Sequence, residues 1–135
     1  MKIPVFSSHL KKWREYFTIQ ASIKLIDTST FRLCKSLENI SIPSTVIEIG
    51  DYAFSGRSSL KQITIPSSVK SIGYNAFSYC FSLMKVEIPS SVESIREDAF
   101  YSCSSLKNVT IPSSFTNLKY IGIKPNEEIL ITYLN

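Results

Sequence analysis

Residues 60–83 read LKQITIPSSVKSIGYNAFSYCFSL, and residues 83–106 read LMKVEIPSSVESIREDAFYSCSSL. The two stretches align without a gap at a spacing of 23 residues, and the flanking segments keep the same spacing. The positions that recur most plainly are Leu37, Leu60, Leu83 and Leu106; Phe31, Phe54, Phe77 and Phe100; Pro43, Pro66, Pro89 and Pro112; and Ile42, Ile65, Ile88 and Ile111. A fixed period with apolar residues at constant phases predicts a solenoid, in which each turn buries its core against its neighbours.

Each unit begins with a predicted strand. Residues 60–65 alternate apolar and polar side chains, which is typical of a short strand with one buried face. Pro66 has no N–H to donate to a ladder, so it ends the strand and begins a corner. Stacked turns would place these strands in a parallel sheet with two outward-facing files of polar residues. The first file is Asn39, Gln62, Lys85 and Asn108, and the second is Ser41, Thr64, Glu87 and Thr110.

The second half of each unit returns apolar side chains to the core. Val69, Ile72, Ala76 and Phe77 are predicted to point inward, and Gly73 is predicted to permit a tight bend between them. Phe77 is expected to be a principal filler of the core because it is the largest of these side chains.

The cysteines follow the same period. Cys34, Cys80 and Cys103 share one phase, and Arg57 takes that phase in the unit between. The chain has no CxxC pair and its single histidine, His9, lies elsewhere, so no metal site is expected. Adjacent turns are roughly 4.8 Å apart, which keeps a Cys80–Cys103 disulfide open, although two buried thiols are favoured.

Composition and charge limit the classes of function. The chain has 135 residues, of which 44% are hydrophobic, but it has no apolar run long enough to span a membrane and no secretory signal pattern. Cytoplasmic or cytoskeletal residence is therefore the expectation. The net charge of +4 is carried by residues 1–24, and the repeats are neutral. Nucleic-acid binding is not expected, because the chain lacks an extended basic stripe.

The unit LxxIxIPSSVxxIGxxAFxxCxSL resembles the BspA-like class of leucine-rich repeats over about residues 31 to 118. The resemblance implies a leucine-rich repeat solenoid: a right-handed, curved superhelix with a concave parallel β-sheet and little helix. Members of this class are linked to adhesion and to binding of host proteins, and they are usually displayed at the cell surface. The resemblance implies no catalytic residues.

The ends of the chain are predicted to be degraded repeats. We expect an N-terminal cap over residues 1–15, about five turns over 16–118 and a degenerate C-terminal repeat over 119–135. Leu10 and Trp13 have the spacing of a short capping helix. Phe17 and Ile26 fall on the phases of Ile40 and Ile49, so the first turn should begin near Tyr16.

At the other end, Ile129 and Leu134 fall on the phases of Leu106 and Ile111. The apolar run from Ile129 to Leu134 would form a last strand with an unpaired edge. Such an edge either pairs with another chain or is simply covered, and the sequence favours neither outcome.

One turn departs from the repeat at three places. Tyr79, Phe81 and Met84 stand where the neighbouring units have glycine, serine or lysine, and Tyr101 extends the same side in the next turn. We refer to Tyr79, Phe81, Met84 and Tyr101 as the aromatic patch. These side chains either form an exposed contact site or fold back over the core.

The sequence contains no catalytic signature. It has a single histidine and no GxSxG, GxGxxG or GxxxxGK[ST] motif, so we expect neither an enzyme nor a cofactor. The predicted function is a protein-binding module that mediates protein–protein interaction or adhesion through the polar files or the aromatic patch. The alternative is a structural component of a larger intracellular assembly, such as a cytoskeletal array.

Overall fold

The computed structural model describes residues 16–18, 22–27 and 36–135. Within these residues the chain forms ten short strands and no helix. The strands are β1 (Tyr16–Thr18), β2 (Leu25–Ile26), β3 (Asn39–Ser41), β4 (Glu48–Ile49), β5 (Gln62–Thr64), β6 (Ser71–Ile72), β7 (Lys85–Glu87), β8 (Ser94–Ile95), β9 (Asn108–Pro112) and β10 (Leu130–Leu134). None of the described residues belongs to a helix that could cross a membrane.

The strands form two parallel sheets that run along the molecule. The larger sheet has the order β1-β3-β5-β7-β9-β10, and the smaller has the order β2-β4-β6-β8. From β1 to β9 each strand pairs with the strand one unit away, and Gln62 lies opposite both Asn39 and Lys85. The predicted parallel β-solenoid is therefore confirmed, and the sequence period is the length of one turn.

A third set of backbone hydrogen bonds joins the turns on the side that has no strands. Phe54 N–H donates to Ala76 O at 2.7 Å, and Phe77 N–H donates to Ala99 O at 2.7 Å. The residues two positions before and two positions after Phe54 and Phe77 donate in the same way to the next turn, and in the following turn Asp98 and Phe100 do so. The turns that contain Phe54, Phe77 and Phe100 are thus bonded to one another along three lines. The third line fixes the turn-rich face, which comprises residues 51–59, 74–82, 97–105 and 120–128.

The core is a column of like residues stacked on like residues. Phe54, Phe77 and Phe100 are fully buried, with ring centroids 5.0 Å and 5.3 Å apart and planes within 5° and 3° of parallel. The recurring leucine and isoleucine positions are buried around this column. The predicted inward orientation of Phe77 is confirmed. Phe31, which shares this phase, lies outside the described residues.

Gly73 has a different role from the one predicted. It does not have a positive φ. The bend is made by Tyr52, Asn75 and Asp98, whose φ angles are 58°, 51° and 57°. Gly73 instead allows close approach of the preceding turn, since a Cβ there would lie 2.6 Å from Asp51 N. Packing between turns therefore explains this glycine.

The last turn is one residue shorter than the others. Leu130 lies opposite Asn108 and Leu134 lies opposite Pro112, so the spacing falls to 22 residues. The predicted phase of Leu134, opposite Ile111, is therefore wrong by one position. The residue is lost after Tyr120. There Gly122, with φ 86°, lies so close to the previous turn that a Cβ would be 2.6 Å from Tyr101 N.

The first two strands pair in the predicted register. Phe17 pairs with Ile40 and Ile26 pairs with Ile49. Residues 1–15, with the predicted capping positions Leu10 and Trp13, lie outside the described residues.

Replacing Phe77 by alanine should lower the free energy of unfolding by about 3–5 kcal/mol, because a cavity would open between two stacked rings. Chemical denaturation measures the change. Phe81→Ala is the matched control. That ring is exposed, so its removal should change the free energy by less than about 0.5 kcal/mol. Equal losses from the two variants would contradict the burial described here.

Candidate binding surfaces

The aromatic patch is exposed on the turn-rich face and at the entry to the larger sheet. Its exposed fractions are 45% for Tyr79, 48% for Phe81, 48% for Met84 and 37% for Tyr101. Tyr79 lies between the other two rings, in edge contact with Phe81 at 6.0 Å and with Tyr101 at 5.6 Å. Of the two arrangements left open by the sequence, the exposed one is observed.

Tyr79 holds its place in the patch at a cost in backbone energy. Its φ is 59°, and the equivalent residues Gly56 and Ser102 have φ of 74° and 56°. A bulky L-residue in this left-handed region lowers the free energy of unfolding by about 1–2 kcal/mol, whereas glycine has no such conformational cost. The third line of bonds maintains the conformation, since Tyr79 N–H donates to Tyr101 O at 2.8 Å. The sequence therefore places a ring where a glycine would be more stable.

More tyrosines share the turn-rich face than the sequence analysis singled out. Tyr52, Tyr74 and Tyr120 are also exposed there. The guanidinium carbon of Arg96 lies 4.5 Å from the centre of the Tyr74 ring, which is within the range of a cation–π contact. Tyr74 and Tyr120 share one phase, but Glu97 holds that phase in the unit between them, and Tyr52 lies at the next phase. No continuous file of tyrosines in the sequence therefore marks them as a group.

The two polar files lie side by side on the larger sheet, as predicted. Asn39, Gln62, Lys85 and Asn108 are paired in sequence along one line, and Ser41, Thr64, Glu87 and Thr110 along the other. At the centre, Lys85 Nζ lies 2.9 Å from Glu87 Oε1. This ion pair neutralises the charges of the two files, so the surface offers hydrogen-bonding groups and no net charge.

The cysteines at the shared phase contribute to the structure of the turns. Cys80 and Cys103 are free thiols, and their Sγ atoms donate to Phe54 O at 3.3 Å and to Phe77 O at 3.1 Å. Burial raises the pKa of both thiols, that of Cys103 to about 12. A thiol that stays protonated is a poor nucleophile. Cys34 lies outside the described residues.

Arg57, which takes the cysteine phase in its unit, lies in the interior of the turn. Its side chain is buried, and Nε donates to Ser55 O at 3.3 Å. Within the described residues, no group of three His, Cys, Asp or Glu side chains is placed to bind a metal ion.

A cleft that the sequence analysis missed lies between the turn of Tyr101 and the last turn. Its volume is about 260 Å³. Its walls come from two segments, residues 100–107 and residues 122–129, although Pro125 and Glu127 are not among the lining residues. The only signal in the sequence was the one-residue shortening of the last unit, which is hidden because that unit has lost most of its recurring residues.

The parallel β-solenoid, with its leucine and isoleucine ladder, defines a leucine-rich repeat protein. A family model described as a BspA type leucine rich repeat region matches in six copies across residues 7–124. The match covers most of the chain, and this protein belongs to that family. None of the curated proteins compared with the chain matches it significantly.

Solved structures with similar folds come from bacteria. A leucine-rich repeat protein from Bacteroides ovatus has a TM-score of 0.74 and 25% identity over 90% of this chain. A leucine rich cell surface protein from Faecalibacterium prausnitzii has a TM-score of 0.75 and 29% identity over 89% of this chain. The chain spans 36% and 32% of those two proteins. A leucine-rich repeat protein from T. pallidum, at 23% identity, TM-score 0.65 and coverage of 87% and 68%, shows the fold alone.

Two variants that each remove an exposed ring test the backbone energy at Tyr79. Tyr79→Gly relieves the left-handed conformation, whereas Phe81→Gly only adds freedom to the unfolded chain. The first variant should therefore be more stable than the second by about 1 kcal/mol or more. Urea denaturation of both proteins measures the difference. If Tyr79→Gly proved the less stable of the two, the ring would be contributing more than the conformation costs.

Proposed function

We propose that this protein is a non-enzymatic binding module that mediates protein–protein interaction or adhesion, with the aromatic patch as its main contact site. The observation that carries the proposal is the exposure of Tyr79, Phe81, Met84 and Tyr101 on two adjacent turns, with the three rings in contact through Tyr79. Aromatic and methionine side chains are enriched at the centres of protein interfaces, where a few residues supply most of the binding energy.

The contacts that position Tyr79 in the patch support this function. The Tyr79 backbone is bonded to the next turn, and its ring is held between two others. Side chains that are already ordered lose little conformational entropy on binding, so more of the contact energy remains as affinity. The backbone strain at Tyr79 points the same way, since strained residues cluster at functional sites.

The polar files supply a second, wider surface for the same partner or another. They are uncharged overall and rich in hydrogen-bonding groups, which suits a polar rim around an apolar centre. Family membership supports binding in general, and one structural relative is a cell surface protein. If the protein mediates adhesion, it is displayed at the cell surface. If it is a structural component of an intracellular assembly, it resides inside the cell.

The double variant Tyr79→Ser/Phe81→Ser should weaken partner binding at least tenfold, because two central contacts are lost. The immobilised protein would first capture partners from a native extract, and biolayer interferometry would then measure the affinity of each partner. Tyr52→Ser is the matched control, since Tyr52 is equally exposed, has a similar positive φ and lies outside the patch. Equal affinity of the double variant and the wild type would count against the patch.

The second candidate function is a structural component of a larger intracellular assembly, which the open edge of β10 favours. Leu130 N–H donates to Lys107 O, and Leu134 O accepts from Ser113 N–H, so these residues turn their backbone groups toward β9. Ile131 and Tyr133 turn theirs to the edge. Leu130 is 64% exposed, and no residue of β10 is charged. An uncharged edge strand of this kind is a template for pairing with another chain.

Tyr133→Pro tests assembly through this edge. It removes an outward N–H and leaves the bonds to β9 intact. If the edge pairs, sedimentation equilibrium at roughly 100 µM protein should show multimers of the wild type and monomers of the variant. Tyr133→Ser, which keeps the N–H, should still associate. A monomeric wild-type protein would exclude self-assembly through β10.

A further inference from the structure

The cleft beside Tyr101 exists because the third line of backbone bonds ends early. In two earlier turns, a residue with a positive φ angle donates one hydrogen bond of this line. Gly56 N–H donates to Ser78 O at 2.8 Å, and Tyr79 N–H donates to Tyr101 O at 2.8 Å. The equivalent donor in the next turn is Ser102. Its N–H has no acceptor within the described part of the chain. After Gly122, which still packs against Tyr101, the shortened last turn separates from its neighbour, and the space between them is the cleft.

The walls of the cleft combine an apolar floor with a charged rim. Phe100, Leu106 and Ile123 are core residues that also line the cleft. The charged residues among the lining are Lys107, Lys124 and Glu128, which leave a net positive charge. An apolar protein cavity of about 150 Å³ can hold benzene, so about 260 Å³ is sufficient for one large apolar side chain.

We propose that this cleft binds an extended acidic peptide segment of a partner protein, with one apolar side chain inserted into the floor. A carbonyl of the segment accepts a hydrogen bond from Ser102 N–H and so replaces the acceptor that the last turn does not supply. The apolar side chain occupies the space that a full-length turn would fill. Acidic side chains on either side of it contact Lys107 and Lys124 at the rim.

Each part of the peptide matches a separate feature of the cleft. An apolar side chain is favoured because the floor is apolar, and burial of apolar surface supplies most of the binding energy. An extended backbone is favoured because its side chains alternate in direction, so that one apolar side chain can enter the cleft while its two neighbours point to the rim. Acidic flanks are favoured over basic ones because two lysines outnumber the single carboxylate on the rim.

This inference rests on the proposed binding function but concerns a site next to the aromatic patch, which Tyr101 joins to the cleft. The two proposals can be tested independently of each other. If the patch variant loses its partner while the cleft experiment below is negative, only the cleft assignment is wrong.

The test titrates ¹⁵N-labelled protein with three blocked pentapeptides, acetyl-Gly-Glu-Leu-Asp-Gly-amide, acetyl-Gly-Lys-Leu-Lys-Gly-amide and acetyl-Gly-Glu-Gly-Asp-Gly-amide. The first should give saturable amide shifts at Ser102 and along 122–129, with a dissociation constant at least tenfold lower than that of either other peptide. Equal affinity for the acidic and basic peptides, saturable shifts located elsewhere, or no saturation by about 10 mM would each overturn the proposal.

Charge reversal at the rim supplies the matched comparison. Lys124→Glu should weaken binding of the acidic leucine peptide at least fivefold and strengthen binding of the basic peptide. Lys119→Glu makes the same change in net charge at an exposed site in the same turn, away from the cleft, and should have little effect. Equal weakening by the two variants would mean that net charge alone attracts the peptide, and the proposed site would be wrong.

Discussion

The structure depends on the bonding of its central turns to one another along three parallel lines of backbone hydrogen bonds. All three lines can be made at once only if successive turns have the same length, because a turn that is too long or too short moves its donors away from the facing carbonyls. The spacing of 23 residues satisfies this condition from β1 to β9. Like side chains then stack on like side chains, as the parallel rings of Phe54, Phe77 and Phe100 show. The core and the backbone bonds are therefore consequences of one constraint on length.

That constraint leaves the outward positions free to vary. Most side chains of the polar files and of the aromatic patch are exposed and lie outside the buried core, so one turn can change there without disturbing the packing of the others. Tyr79 illustrates this freedom, since its equivalents are a glycine and a serine with similar φ angles. The neutral pair of Lys85 and Glu87 illustrates it on the larger sheet. The departures from the repeat therefore distinguish one part of the surface from another, whereas the repeated residues form the common core.

The sequence predicted the features that repeat and missed those that do not. The sheet, its register and the buried phenylalanine column followed from the period, because identical positions in a solenoid have identical surroundings. Exposure of the aromatic patch could not be decided, because the direction of Tyr79 depends on a backbone conformation that glycine usually occupies. Gly73 was misread because close packing between turns and a positive φ both select glycine. The cleft escaped notice because it depends on where a degenerate turn loses one residue, and Leu134 was placed wrongly for the same reason.

The shortened last turn shows how such a fold can change without losing its architecture. The missing residue falls after Tyr120, in the part of the unit that holds no strand, and β10 still joins the larger sheet beside β9. The segment that forms the larger sheet thus keeps its pairing, whereas the corner absorbs the change of length and forms a recess. Over evolutionary time, small deletions in the corners would therefore generate new concavities on an unchanged scaffold. Gain or loss of whole units would instead extend or shorten the molecule.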